Sequence, residues 1–247
     1  AELLQIIRKE PLFIGNGSNI CFITDFYDRS IVSLKRMKKY IHLDDKYISC
    51  SSNISCTRLA RYLHNNRQPG YEFLYGIPGT IAGAISMNAG AFEREIMPYV
   101  HSIDLLDENG VIYTLKNNEI SYSYRTSSID KKSIIISVKL LKQTTNFDMN
   151  LLNILNQKRK ISQPINQLSC GCIFKNPSED HAARLIDNAQ LKGSRAGGVY
   201  ISHKHSNYFI NDGSGTYRDF LVLLRRVKEV IISKFNIKLD EEVILLK

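Results

Sequence analysis

The chain has 247 residues, 43% hydrophobic and 23% charged, ordinary values for a globular protein and enough length for two or three subdomains. No apolar run approaches the roughly 20 residues needed to span a membrane, so no membrane association is expected. Lys and Arg outnumber Asp and Glu by 33 to 24, a net charge of +9. That balance suits a partner bearing phosphates or carboxylates, but the basic residues are scattered and lack interleaved aromatics. A phosphorylated small molecule is favoured over nucleic acid.

Taken along the chain, short β-branched runs recur between turn signals: LFIG, ICFIT, IVSL, YISCS, VHSIDLLD, GVIYTL and SIIISVKLL. Among them, SCTRLARYLHNN predicts a helix capped by Ser55, with Leu59, Tyr62 and Leu63 buried. Beyond residue 142 the pattern becomes helical. NFDMNLLNILNQKRK stops before Pro164, and DHAARLIDNAQLKG runs to Gly193. RDFLVLLRRVKEVIISKF repeats apolar residues at Phe220, Leu224, Val227, Ile231 and Phe235, with Thr216 and Asp219 spaced as a capping box. A short strand, EEVILLK, closes the chain, and an α+β class follows. The start, AELLQIIRKEPLFIG, lacks a secretory signal and reads as though a segment before it is missing. The odd number of cysteines, five, and the lack of any C-x-x-C pair point to a reduced, cytoplasmic setting.

Two loops could hold phosphate. IGNGSNI (14–20) is rich in residues that tolerate positive φ and can aim backbone N–H groups at an anion, though on its own a plain tight turn is the favoured explanation. GIPGTIAGAISMNAGAF (76–92) lets backbone approach a flat or charged ligand, and tight packing is its competing explanation. Neither a dinucleotide fingerprint nor a P-loop is present.

SCGCIFKNP (169–177) raises four possibilities: a metal site, a disulfide, a nucleophile or a proton donor. If the segment is a strand, Cys170 and Cys172 share a face, but no further ligand stands at metal spacing and no metal is expected. A disulfide across one glycine would be strained. No sequence neighbour supports a nucleophile.

IGNGSN, GIPGTIAGAISMNAGA, YSYRTS, GCIFKNP and DEEVILL occur in one order that resembles the UDP-N-acetylenolpyruvoylglucosamine reductase family. The likeness runs along essentially the whole chain. It implies the FAD-binding fold of the vanillyl-alcohol-oxidase type, also that of p-cresol methylhydroxylase, built from two subdomains. These would be residues 1–46, with a return at 236–247, and 47–142; an α+β substrate domain would span 146–235. The resemblance implies FAD as cofactor, NADPH as co-substrate and a UDP-sugar substrate, in a chain expected to be monomeric. It implies FAD contacts at Gly15, Asn16, Gly17, Ser18, Asn19, Gly76, Ile77, Pro78, Gly79, Thr80, Gly83 and Asn88. Substrate contacts would come from Tyr124, Lys175 and Asn176, with Arg125, Cys172 and Glu242 catalytic.

In that family a serine stands where this chain has Cys172, and its hydroxyl protonates the substrate α-carbon. A thiol, with a reference pKa near roughly 8.5, is a stronger acid than an alcohol and can serve likewise. Other departures are an absent N-terminal Ile-Gly-Gly segment, Asn16 in place of a glycine, and Ile244 in place of an arginine. No insertion between 142 and 170 could carry a tyrosine-bearing lid, so the shorter type of reductase is expected. Asp240 and Glu241 read as a solvated acidic pair. The roles of Lys192, Arg195 and His205 stay open. The rival functions are an oxidase of the same fold and a catalytically inactive nucleotide-binding module.

Overall fold

The computed structural model describes residues 11–247, so the expectations for the opening of the first subdomain lie outside the described residues. The chain divides into two compact units. One takes the chain through Asn16 together with Asp28–Gln157; the other takes Gly17–Tyr27 together with Lys158–Lys247.

The first unit is organised on a five-stranded antiparallel sheet of β1 (Ile41–Leu43), β2 (Tyr47–Ser51), β3 (Val100–Leu106), β4 (Ile112–Lys116) and β5 (Ile134–Leu141). The spatial order is β1-β2-β5-β3-β4. Ile103 and Leu105 of β3 alternate into the same core as the buried face of α1 (Cys56–Asn65), and a bulge at His101 brings Val100 to that side as well. Ser55 caps α1 by accepting from the Arg58 N–H. Cys56, Leu59, Ala60 and Leu63 form its buried face, whereas Tyr62 is 37% exposed. At 3.6 residues per turn Tyr62 lies roughly 110° from the centre of that face, which corrects its expected burial. The alanine- and glycine-rich segment after Pro78 was expected as a loop; it contains a short helix, α2 (Ile81–Ser86), capped by Thr80. Separately, Leu12–Ile14 pairs in parallel with Ile31–Ser33.

The chain passes from one unit to the other within α3 (Leu151–Ser162). The second unit then adds α4 (Ala182–Asn188), a small antiparallel sheet of β6 (Arg195–Ala196), β7 (Val199–Ile201) and β8 (Phe209–Asn211), and α5 (Tyr217–Phe235). Thr216 and Asp219 form the expected capping box of α5. Phe220, Leu223, Leu224, Val227 and Ile231 bury its apolar face against Ile173, Phe174 and Phe209. Ile244–Leu246 pairs in parallel with Ile20–Phe22, far away in sequence, and so joins the two pieces of this unit. Among the described residues no helix is long and apolar enough to cross a membrane.

Candidate active site

In the first unit the two glycine-rich loops meet. A Cβ on Gly15 would stand 2.4 Å from Thr80 Oγ1, so the backbone of the first loop lies directly on the Thr80 side chain. Thr80 is itself fixed: its hydroxyl accepts from the Gly83 N–H at 3.3 Å, and the preceding Gly79 carbonyl accepts from the Cys56 N–H at 3.1 Å. Gly79 has φ +122°, a conformation that L side chains rarely adopt. Beside the start of α2, Ser52 Oγ is buried without a hydrogen-bond partner, the kind of orphan that a bound polar group would satisfy.

Gly83 gives a sharper test of whether this surface fits a flavin. It lies on the exposed side of α2, and an added Cβ would meet only Thr80 Oγ1, at 3.6 Å, an ordinary contact. Protein packing therefore does not require glycine there, although glycine costs a helix roughly 0.5–1 kcal/mol relative to alanine. Close approach of a ligand would account for it. Gly83→Ala should raise the melting temperature of flavin-free protein slightly and weaken FAD retention about tenfold or more. Melting curves and FAD titrations check both arms; unchanged FAD affinity would remove Gly83 from the cofactor surface.

YSYRTS forms a tight hairpin in which Tyr122–Ser123 pairs with Thr126–Ser127. Arg125 at its tip has φ +56°, and the left-handed region costs a non-glycine residue about 1–2 kcal/mol. Asn or Gly normally fills such a position, so the arginine is retained at a strained site. Its guanidinium lies over the Tyr124 ring, 4.6 Å from the centroid. It donates to the Gly90 carbonyl at 3.1 Å and stands 3.7 Å from the Glu95 carboxylate. Glu95 is in turn held by Asn88, whose Nδ2 donates to Glu95 Oε2 at 2.8 Å and to the Ser123 carbonyl at 2.9 Å. Asn88 Oδ1 accepts from the Met97 N–H. Asn88 is wholly buried. These bonds commit its side chain to the groups around Arg125. Sequence reasoning missed Glu95, whose only signal is an acidic residue shortly after MNAGA.

The second unit gathers the remaining candidates. Gly171 has φ +83°, so SCGCIF is not a regular strand and the expected common face for Cys170 and Cys172 is not realised. Cys170 packs at the edge of the apolar core, where burial and the neighbouring Cys21 push its thiol up to about 12. Cys172 instead faces Tyr208 across an antiparallel bridge. The segment after it is clamped on both sides. On one side, the Ile173 N–H donates to the Asn207 carbonyl at 2.9 Å, and Asn207 Oδ1 and Nδ2 bind both backbone groups of Phe174. On the other, the Glu242 N–H donates to the Ile173 carbonyl at 2.8 Å and the Lys175 N–H to the Asp240 carbonyl at 2.9 Å.

Cys172, Tyr208 and Glu242 are thereby brought together. Burial, followed by the neighbouring Cys172, pushes the Tyr208 phenol well above its ordinary value; Arg159 opposes this and Glu242 adds to it. Neither Tyr208 nor Arg159 carried a signal in the sequence.

The end of the first glycine-rich loop reaches the same place. Asn19 Nδ2 donates to the Glu242 carbonyl at 3.0 Å, and the Ser18 carbonyl lies 3.8 Å from where a Gly171 Cβ would stand. Asn176, expected on the substrate, uses its Oδ1 to accept from the Ala182 N–H at the start of α4. Glu241 is bound to Lys228 at 2.8 Å, which corrects its reading as a solvated acid. Lys192 and Arg195 are paired with Asp187 and Asp212. Burial lowers the His205 pKa, and its Nδ1 accepts from the Asn207 N–H. An open cleft of about 630 Å³ in this unit is lined by Lys160, Gln167, Tyr200, His203 and Lys204 among others.

The first unit carries a glycine-lined loop surface and the second a thiol–phenol–carboxylate cluster, features that each suit a cofactor-dependent enzyme of α+β architecture. Comparison with known proteins agrees. Residues 2–116 match the FAD-binding domain model, and residues 163–246 match the model of the C-terminal domain of UDP-N-acetylenolpyruvoylglucosamine reductase. The reductase of Fusobacterium nucleatum is 34% identical over 97% of this chain and 85% of its own length. That of Caldanaerobacter subterraneus is 35% identical over 98% and 82%. The crystal structure of the enzyme from Thermus caldophilus superposes with a TM-score of 0.80 at 27% identity, covering all of this chain and 89% of the other. The chain belongs to the UDP-N-acetylenolpyruvoylglucosamine reductase family and has its FAD-binding fold.

Proposed function

We propose that the protein is an NADPH-dependent FAD enzyme that reduces UDP-N-acetylglucosamine enolpyruvate to UDP-N-acetylmuramate, a peptidoglycan precursor, in the cytoplasm. The observation that carries this reading is the convergence of Cys172 and Glu242 on one backbone clamp. Bound FAD would supply the redox chemistry, passing hydride from NADPH to the β-carbon of the enol ether. Gly15, Asn16, Gly76 to Thr80 and Gly83 would hold it.

The chain's own groups manage the charge and the proton. The Arg125 guanidinium, oriented by Glu95, binds the substrate carboxylate as that group takes up negative charge from the α-carbon. The Cys172 thiol gives its proton to the α-carbon. Glu242 is placed to stabilise the enolate by hydrogen bonding. Lys160 and Lys204 supply positive charge in the cleft of the second unit, which suits the diphosphate of a UDP-sugar. Ile244, half exposed, stands where the family commonly has an arginine, so these lysines would carry more of the anion binding here.

The test is the visible spectrum of purified protein under anaerobic conditions. A flavin spectrum should bleach with NADPH and return on adding the enolpyruvyl substrate. Protein that stays colourless with added FAD, or bleached flavin that only oxygen restores, would overturn the reading.

A further inference from the structure

Tyr208 is a residue that the expected chemistry does not use, yet it lies against the candidate acid. Cys172 and Tyr208 are directly opposed in an antiparallel bridge. Because the Ile173 N–H donates to the Asn207 carbonyl, the 172/208 pair is of the non-hydrogen-bonded kind, the closer of the two, with both side chains on one face. The rest of the clamp makes this geometry stiff. Asn207 binds both backbone groups of Phe174, the Ser202 N–H donates to the Tyr208 carbonyl, and the Tyr208 N–H donates to the His205 carbonyl. The His205 ring also meets the Tyr208 ring edge-on at 4.8 Å. The Tyr208 side chain is hydrogen-bonded to Cys172.

We infer that Tyr208 is a positioning residue whose O–H donates to Cys172 Sγ and stabilises the thiolate left when the thiol proton moves to the substrate. The role rests on Cys172 being the proton donor. The accounting is simple: the S–H bond breaks, a C–H bond forms at the α-carbon, and the electron pair stays on sulfur as a thiolate. Tyr208 keeps its own proton, and solvent later reprotonates the sulfur. The other charged groups near the phenol act on it in opposite directions, Arg159 favouring negative charge there and Glu242, when ionised, opposing it. Burial lowers the His205 pKa and so disfavours positive charge on that ring. A phenol that stays protonated through the working pH range is the donor that withstands this mixture, and the raised phenol pKa agrees with that.

The experiment follows iodoacetamide modification of Cys172 as a function of pH by peptide mapping, which separates it from the other four cysteines, in the parent and in Tyr208→Phe. The same proteins are assayed by stopped flow in both half-reactions. Removing a hydrogen bond to a charged sulfur should move the half-maximal modification pH up by about one unit and slow reoxidation by the enolpyruvyl substrate about tenfold. Reduction by NADPH should be unchanged. An unmoved modification profile overturns the contact, whatever the turnover. Adding Tyr208→Phe to Cys172→Ala should cause no further loss, and an additive loss overturns a role through sulfur. If Cys172→Ala alone reoxidises at the parent rate, the proton-donor reading fails and with it the catalytic part of this role. The modification profile then decides the Tyr208–Cys172 contact separately.

Discussion

Replacing Cys172 by alanine should leave a protein that binds FAD and is reduced by NADPH at the parent rate but reoxidises with the enolpyruvyl substrate about 10²- to 10⁴-fold more slowly, the usual worth of a positioned general acid. The fold should tolerate the change. Cys172 is only partly buried, and the segment is held by Ile173, Phe174 and the Asn207 clamp rather than by the thiol. Cys172→Ser should recover most of the activity, because a hydroxyl can donate from the same Cβ. The two variants should also differ from the parent under oxidation. Peroxide or iodoacetamide should inactivate the parent at the second half-reaction and spare the serine variant there. Stopped-flow absorbance of the flavin reads all of these, and parent-like reoxidation in Cys172→Ala would remove the thiol from the chemistry.

Arg125→Ala should have the second large effect, a loss of roughly 10²- to 10³-fold confined to the oxidative half-reaction. The hairpin tip should not suffer, because the left-handed conformation at Arg125 is a strain that the guanidinium does not relieve. Arg125→Lys should recover only part of the rate, since a point charge cannot match a carboxylate with two parallel bonds. Glu95→Gln should produce a weaker version of the same defect. It leaves Asn88 a partner but removes the carboxylate that stands 3.7 Å from the guanidinium. An equal loss in both half-reactions would show that Arg125 holds the fold rather than the substrate.

Much of the architecture could be read because its signals are local. The strands of the five-stranded sheet fall in short apolar stretches with β-branched residues between turn signals, and the capping box of α5 lies within four consecutive residues. What escaped depends on tertiary context. β7 and β8 are three-residue strands within a stretch dense in Gly, Ser and His, and composition there suggests only turns. The small residues of α2 suggested a loop, and its helix is set by the Thr80 cap and by backbone bonds to Ile54 and Ser52.

The candidate site divides in the same way. Arg125, Cys172 and Glu242 were legible through linear motifs, but the groups that orient them were not. Glu95 is set beside Arg125 by hairpin pairing and held there by Asn88, and Tyr208 reaches Cys172 through a single bridge. Asn88, inside the most specific motif, also holds Glu95 in place, and that bond had no sequence signal.

The pairing of Ile20–Phe22 with Ile244–Leu246 has a consequence for how the protein is made. The side chain of Asn19 binds a carbonyl 223 residues further on, so at about 5–20 residues per second a ribosome needs roughly ten to forty-five seconds to supply the partner. During that interval the second unit lacks its completing strand, and the early segment stays open to capture by other nascent chains or by chaperones. Slow synthesis of residues 240–246 would therefore leave the backbone clamp beside Cys172 open, because Asp240 and Glu242 close one side of it.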